Sequence, residues 1–265
     1  MNLKAAGALR GPAAPVSRRT VMSTGTAAAV MTGLPEEMSP TVLRVGDPFR
    51  RFSLLKPGTR RYVVTREMEG AVSALGVITK TISFEPHAGR PAVHIVQTTE
   101  GGSRVVWDSW FEPETFRPLT HDRTTRRGDE IKVEAFEFYA DRVAGRRDVV
   151  DNASAAFERL TDEPVFNFEA DMETLQLLPW TEGYSVSIPF YHPGSPRLSR
   201  HIFRVNRRGS LSLPGGGSLD CWEVTTDYGR PAEEATRFHV ACEGQEVVKV
   251  VTPAPGGRVV KSWLL

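Results

Sequence analysis

Apolar and polar residues alternate along most of this chain, and clusters of glycine, proline and asparagine interrupt the alternation at intervals of about 8–12 residues, the rhythm of an antiparallel meander. The clearest example is C-terminal. Leu219–Thr226, Thr236–Cys242, Glu246–Thr252 and Arg258–Leu264 read as four strands, joined through Asp227–Pro231, Glu243-Gly244 and Pro253–Gly257. The chain ends within the last of them, so its final residues belong to the sheet. Upstream, the same reading gives Thr59–Glu67, a long Ala71–Phe84, Pro91–Thr99, Ser103–Phe111, a more polar Thr115–Arg126, Glu130–Tyr139 and Arg142–Val150, with Tyr184–Tyr191 and Arg200–Val205 further on. In Ala71–Phe84 the residues Ile78, Ile82 and Phe84 share one face, and Gly76 marks a bend or bulge. In Glu130–Tyr139 the apolar parity switches between Ala135 and Phe136, which a one-residue bulge would reconcile.

The rhythm breaks between Asp151 and Trp180. Ala153–Leu160 reads as a short helix and Phe168–Leu178 as a stronger one. Asn167 stands at its N-cap, Glu169 and Asp171 lie in its first turn, and Met172, Leu175 and Leu178 form one stripe before Pro179. That stripe needs cover, and the open face of a curved sheet supplies it. The fold class is therefore all-β with one or two short helices: a curved antiparallel half-barrel or barrel of about a dozen strands around an apolar cavity.

A chain of 265 residues buries a sizeable core without disulfides or metal. With 33 basic against 32 acidic residues there is no global field to attract nucleic acid or an anionic membrane, and no apolar run is long enough for a transmembrane anchor. The first forty residues stand apart. Lys4 and Arg10 precede Ser17-Arg18-Arg19-Thr20-Val21-Met22 and the mildly apolar Ser23–Leu34, which resembles a twin-arginine export signal, although Val21 replaces the usual aromatic and no small-x-small cleavage site follows. Residues 1–40 are thus a signal-like or disordered N-terminal segment, and 41–265 a single β-barrel-like domain. The corresponding localisation is periplasmic or secreted, with a cytoplasmic protein starting near Met22 as the alternative. The two cysteines, Cys221 and Cys242, lie on consecutive strands. Trp222 and Val224 call for the same face as Phe238 and Val240, which separates the thiols; two buried thiols are favoured over a disulfide.

No GxSxG elbow, Ser/His/Asp order, HxH or HExxH pair is present, so no metal and no cofactor are called. Gly215-Gly216-Gly217 lies between strands without a following Lys-Ser/Thr and reads as a hairpin loop. The suggestive cluster is aromatic. Trp107, Trp110, Tyr184, Phe190, Trp222, Phe238 and Trp263 recur on neighbouring strands, and inward-facing rings of this kind either fill a core or line a pocket for an apolar ligand. Asp108, His239 and Tyr191 are the candidates for acid–base work if the barrel is an enzyme.

The order of several segments resembles a known group. Leu75-Gly76-Val77-Ile78-Thr79, Gly89-Arg90-Pro91-Ala92 ahead of Val96-Gln97, Trp107-Asp108-Ser109 before Phe116-Arg117-Pro118-Leu119, and Leu178-Pro179 before Gly183-Tyr184 are followed by Trp222-Glu223-Val224, Val247-Val248-Lys249 and the terminal Pro253–Gly257. From Pro57 onward this resembles uncharacterised exported bacterial β-proteins of the lipoprotein-localisation-factor type (LolA/LolB-like half-barrels). The resemblance implies a curved sheet around an apolar cavity closed by the central helix, in which the better-known carriers hold acyl chains, and it brings no catalytic residues. The expected function is binding or carriage of a hydrophobic, lipid-like small molecule or acyl chain. A cofactor-free isomerase or cyclase acting on an apolar substrate, and a structural envelope protein without ligand, are the alternatives.

Overall fold

The alternating runs fold as strands. The computed structural model describes residues 39–264 apart from 102, 196–197, 214–215, 229–230 and 232–233, so the signal-like segment falls outside the described residues except for its last two positions. In chain order the strands are β1 (Thr41–Val42), β2 (Gly58–Met68), β3 (Ala71–His87), β4 (Arg90–Glu100), β5 (Arg104–Phe111), β6 (Pro118–Arg127), β7 (Glu130–Phe138), β8 (Arg142–Gly145), β9 (Glu158–Leu160) and β10 (Phe166–Asn167). After α1 (Asp171–Gln176), the one α-helix among the described residues, come β11 (Ser185–Tyr191), β12 (Ser199–Ser212), β13 (Ser218–Thr226), β14 (Thr236–Ala241), β15 (Val247–Ala254) and β16 (Gly257–Leu264).

All sixteen join one curved sheet, which is not closed into a barrel. Two meanders, β11–β16 and β2–β9, are welded where the last strand pairs with the first long one, from Gly257↔Met68 to Leu264↔Arg61. The C-terminal strand is therefore central in the sheet, hydrogen-bonded on both sides. Sixteen strands replace the expected dozen because β1, β9 and β10 span only two or three residues, too few for alternation to register. β1 and β10 both pair with β11 in parallel, so the sheet is not purely antiparallel.

Two local expectations are corrected. Ala153–Leu160 is not a helix. The Asn152 side chain ties the start of that stretch to the sheet, donating to Ala135 O (2.9 Å) and Arg146 O (2.7 Å) and accepting from the Ala135 and Ser154 amides (both 2.9 Å), and Glu158–Leu160 then adds to β8 as β9. Nor is there a bulge at Ala135. Pairing of β6 with β7 runs unbroken from Thr120↔Glu137 to Arg127↔Glu130. Ile131, Val133 and Ala135 lie on one face and Phe136 and Phe138 on the other; Ala135, Phe136 and Phe138 are buried, while Ile131 is exposed.

Gly76 does mark a bulge. The β2–β3 register shifts where Val64 faces Gly76 and Thr65 faces Ala74, and Gly76 adopts φ +153°. A Cβ there would sit 2.1 Å from Glu100 O, so the glycine lets β4 approach without a side chain in the way. Gly76→Ala should destabilise by more than about 1 kcal/mol, read as a lowered midpoint in urea unfolding with an unchanged slope.

The sheet's concave face carries the core, including Tyr62, Ile78, Ile82, Phe111, Phe203, Phe238 and Val250. The Phe168–Gln176 segment lies in that concavity. Asn167 caps it as expected, its side chain accepting from Glu169 N at 3.1 Å, and a 3-10 turn over Phe168–Ala170 leads into α1. Met172, Leu175 and Leu178 are buried in the same core, and Trp180 Nε1 donates to Leu175 O at 2.7 Å where the helix ends. Cys221 faces Ala241 across β13–β14, with Trp222 opposite Val240 and Val224 opposite Phe238; both cysteines are free. No helix of the described residues is long and apolar enough to cross a membrane.

Candidate functional site

Beside the helical segment the concave face opens into a cavity of about 350 Å³. Its position follows from strand parity. Ser199 and His201 on β12 point the same way as the buried Phe203, Thr236 on β14 the same way as Phe238, and Lys261 on β16 sits between Val250 on β15 and Val64 on β2, both core residues. The helical segment contributes Phe168, Asp171 and Met172, and the turns after β11 and β13 contribute His192 and Tyr228. The rings form one edge-to-face cluster: Phe168–Tyr228 at 5.4 Å, His201–Tyr228 at 5.0 Å and Phe168–Phe190 at 6.0 Å between centroids. Such contacts hold the wall rigid without filling the space in front of it.

Polar groups converge on this wall. Tyr228 Oη lies 3.3 Å from Asp171 Oδ2, and Asp171 Oδ1 accepts from the Met172 amide at 2.7 Å. Burial raises the pKa of Asp171, Lys80 and Lys261 oppose that shift, and Glu173 adds to it. Glu169 moves the other way. Burial alone would raise its pKa, but His192 Nδ1 at 3.0 Å and the charges around it hold it below the usual carboxylate range. Burial lowers the pKa of His201 despite Asp227 nearby. Behind the cavity, Lys80 Nζ pairs with Glu173 Oε2 at 2.8 Å, both side chains being about 2% exposed or less, and donates to Glu169 O at 3.3 Å.

A second buried polar group marks the place where the curling sheet brings β10 against β6. Ser109 Oγ lies 2.8 Å from His121 Nδ1, and Asn167 Nδ2 is 3.2 Å from the same nitrogen. A serine beside an imidazole invites comparison with a nucleophile and base, but the ring is fully buried and Ser109 4% exposed, so no substrate can reach them. This is a structural seam. A larger groove of about 730 Å³ near His87, Arg117 and Tyr139 lies between turns of the β3–β7 meander, where Arg117 is already paired with Glu112.

The aromatic cluster expected to bind ligand divides. Phe190 and Phe238 line the cavity. Tyr184 packs against Trp180 at 5.5 Å, and Trp222 packs against the core with Arg208 over its ring. Trp263 bridges the main core and a small cluster around Cys221 and Val248. Trp107 lies in a groove beside Arg123 and Glu134, whereas Trp110 is on the opposite face, stacked between His87 (4.4 Å) and His94 (3.9 Å). The acid–base candidates do not meet. Asp108 is a surface carboxylate 2.9 Å from His94 Nε2, and His239, next to Phe238 on β14, faces away from the cavity toward Glu223 and Lys249. Tyr191 is buried in a separate cluster with Phe136 and donates to Ser195 O at 2.6 Å.

Sequence reasoning missed Asp171, His201, Tyr228 and Lys261 as a group. Parity holds part of the signal: Lys261 shares a face with Trp263, and Lys80 stands between Ile78 and Ile82, but a lysine at such a position gives the hydrophobic pattern no emphasis. The approach of Tyr228 and Asp171, 57 positions apart, is set by the turn after β13 and had no local sign.

No curated protein and no solved structure matches the chain. A model of the family described as "Protein of unknown function (DUF3108)" matches residues 62–262, which runs from the first long strand to the last and takes in the helical segment and every strand that lines the cavity. The chain belongs to the DUF3108 family.

Proposed function

We propose that the protein binds a small amphipathic molecule in the concave cavity, its apolar body against Phe168, Phe190, Phe238 and Met172 and its polar end toward Asp171 and Tyr228. The observation that carries this reading is the convergence of an aromatic wall and several titratable side chains on one recess beside the core. Small-molecule sites have this composition: mostly apolar, with a few convergent polar groups. A volume of about 350 Å³ sits near the lower bound of roughly 300–1,000 Å³ for such pockets. That scale supports a compact ligand more than the long acyl chain a lipid carrier would hold. The likeness to lipoprotein-localisation half-barrels enters at the level of a curved sheet with a helix in its concavity, and export to the periplasm stays part of the proposal.

A second reading rests on the same convergence. Asp171, with its raised pKa, and Tyr228 could pass a proton to or from a bound substrate, as in a cofactor-free isomerase. Binding comes first in either case.

Ser199 lies at the cavity's exposed rim. Ser199→Trp should fill the entrance and abolish the thermal stabilisation given by added amphipaths, with the melting temperature of the ligand-free protein nearly unchanged. Undiminished stabilisation of this variant would place binding elsewhere.

A further inference from the structure

Building on the binding site just proposed, we infer that its ligand is an organic monoanion, a carboxylic acid with a compact apolar body, whose carboxylate is held by Lys261. The sheet turns two lysines onto its concave face in this region, and their surroundings differ. Lys80 is neutralised by Glu173 at 2.8 Å. Lys261 lines the cavity between Val64 and Val250, and no carboxylate of the described residues comes within 4.0 Å of its ammonium group. A cation turned toward an apolar face without a close counter-ion is costly, and an anionic guest would offset that cost.

The other charges around the recess are mostly paired at short range, whereas Lys261 acts on Asp171 without an ion pair inside 4.0 Å among the described residues. On the helical segment, Glu169 is engaged by His192 and Glu173 by Lys80. Arg60 on β2 reaches Gln176 Oε1 at 2.8 Å and approaches Glu246 at 3.9 Å. The acids that remain are Asp171 and, near His201, Asp227; burial raises the pKa of Asp171 against the pull of Lys80 and Lys261, and when protonated it donates a hydrogen bond to an acceptor. Burial lowers the pKa of His201, which works against a competing positive charge there, and its Nε2 lies 3.0 Å from Ser199 Oγ. One ammonium beside the hydroxyls of Thr236 and Thr252 and an aromatic wall matches a single negative charge on a compact body. An amine would meet Lys261 head-on, and a fatty acid of full length would exceed the space.

The test uses the full chain and three isosteric probes, 3-phenylpropanoic acid, 3-phenylpropanol and 3-phenylpropylamine, with a series of linear acids of increasing length, all by calorimetric titration. The acid should bind at least tenfold more tightly than the alcohol, and the amine most weakly. Lys261→Met should lower the affinity for the acid to that for the alcohol, leaving the alcohol unchanged, and Lys261→Arg should keep the preference. Equal binding of all three probes, abolished together by Ser199→Trp, would overturn the charge assignment while the cavity reading stands. Tighter binding of the amine, or an acid preference that survives in a folded Lys261→Met, would overturn it as well. If neither the probes nor any linear acid binds, the cavity reading fails and this inference with it.

Discussion

Lys80→Met is expected to destabilise the protein by about 3–5 kcal/mol, the usual consequence of removing one partner from a buried ion pair. Lys80 and Glu173 are nearly inaccessible and 2.8 Å apart, so the truncated variant leaves Glu173 in an apolar setting without its counter-charge. Lys80 also donates to Glu169 O, which fastens the first turn of the helical segment to β3. The loss should reach the cavity, because Phe168, Asp171 and Met172 all belong to that segment. Replacing both partners, Lys80→Met with Glu173→Leu, should recover most of the stability, since no charge is then left buried alone. Urea unfolding of the two variants checks this. A double variant no more stable than Lys80→Met would show that the pair acts through more than charge compensation.

The second large effect is a pH dependence centred on His121. The ring is fully buried and burial brings its pKa down from 6.5 to about 4, opposed by Glu169 and reinforced by Arg123. The unfolded chain protonates this histidine below its ordinary value, and the folded chain resists doing so until about pH 4. Stability from this group is therefore complete above about pH 6.5 and is lost as the pH falls toward 4. A depression of this size corresponds to about 3 kcal/mol across the window. His121→Leu lowers stability at neutral pH, because Ser109 and Asn167 lose their acceptor, but it removes this titration. Between pH 6.5 and 4 the wild type should lose about 3 kcal/mol more than the variant. Parallel stability curves would mean that His121 charges without opening the seam between β6 and β10.

Most of the strands were legible in the sequence because a half-buried strand shows its period of two, and the helical segment was legible through Asn167, its acidic first turn and the Met172–Leu175–Leu178 stripe. Three kinds of feature were not. Strands of two or three residues such as β1 and β10 have no period to read. The β16–β2 pairing that welds the meanders joins residues nearly 200 positions apart, and alternation says nothing of which strand lies beside which. Asn152 replaced an apparent helix with a tether whose three hydrogen bonds to Ala135 and Arg146 depend on those residues being close in space. The site suffered from the same limit. Aromatic residues on neighbouring strands suggest ligand contacts, yet most of them fill the core, and the cavity's character comes from charged and hydroxyl groups at inward parity, where the hydrophobic pattern gives them no emphasis.

The most direct test of the cavity as a binding site is native mass spectrometry of the full chain, purified without detergent from its own host, beside the Ser199→Trp variant treated identically. The wild type should carry a small organic adduct, negatively charged once released, that the variant lacks. A bare polypeptide mass for the wild type, unchanged after incubation with the phenyl-substituted and linear acids, would contradict a ligand site in the concave face.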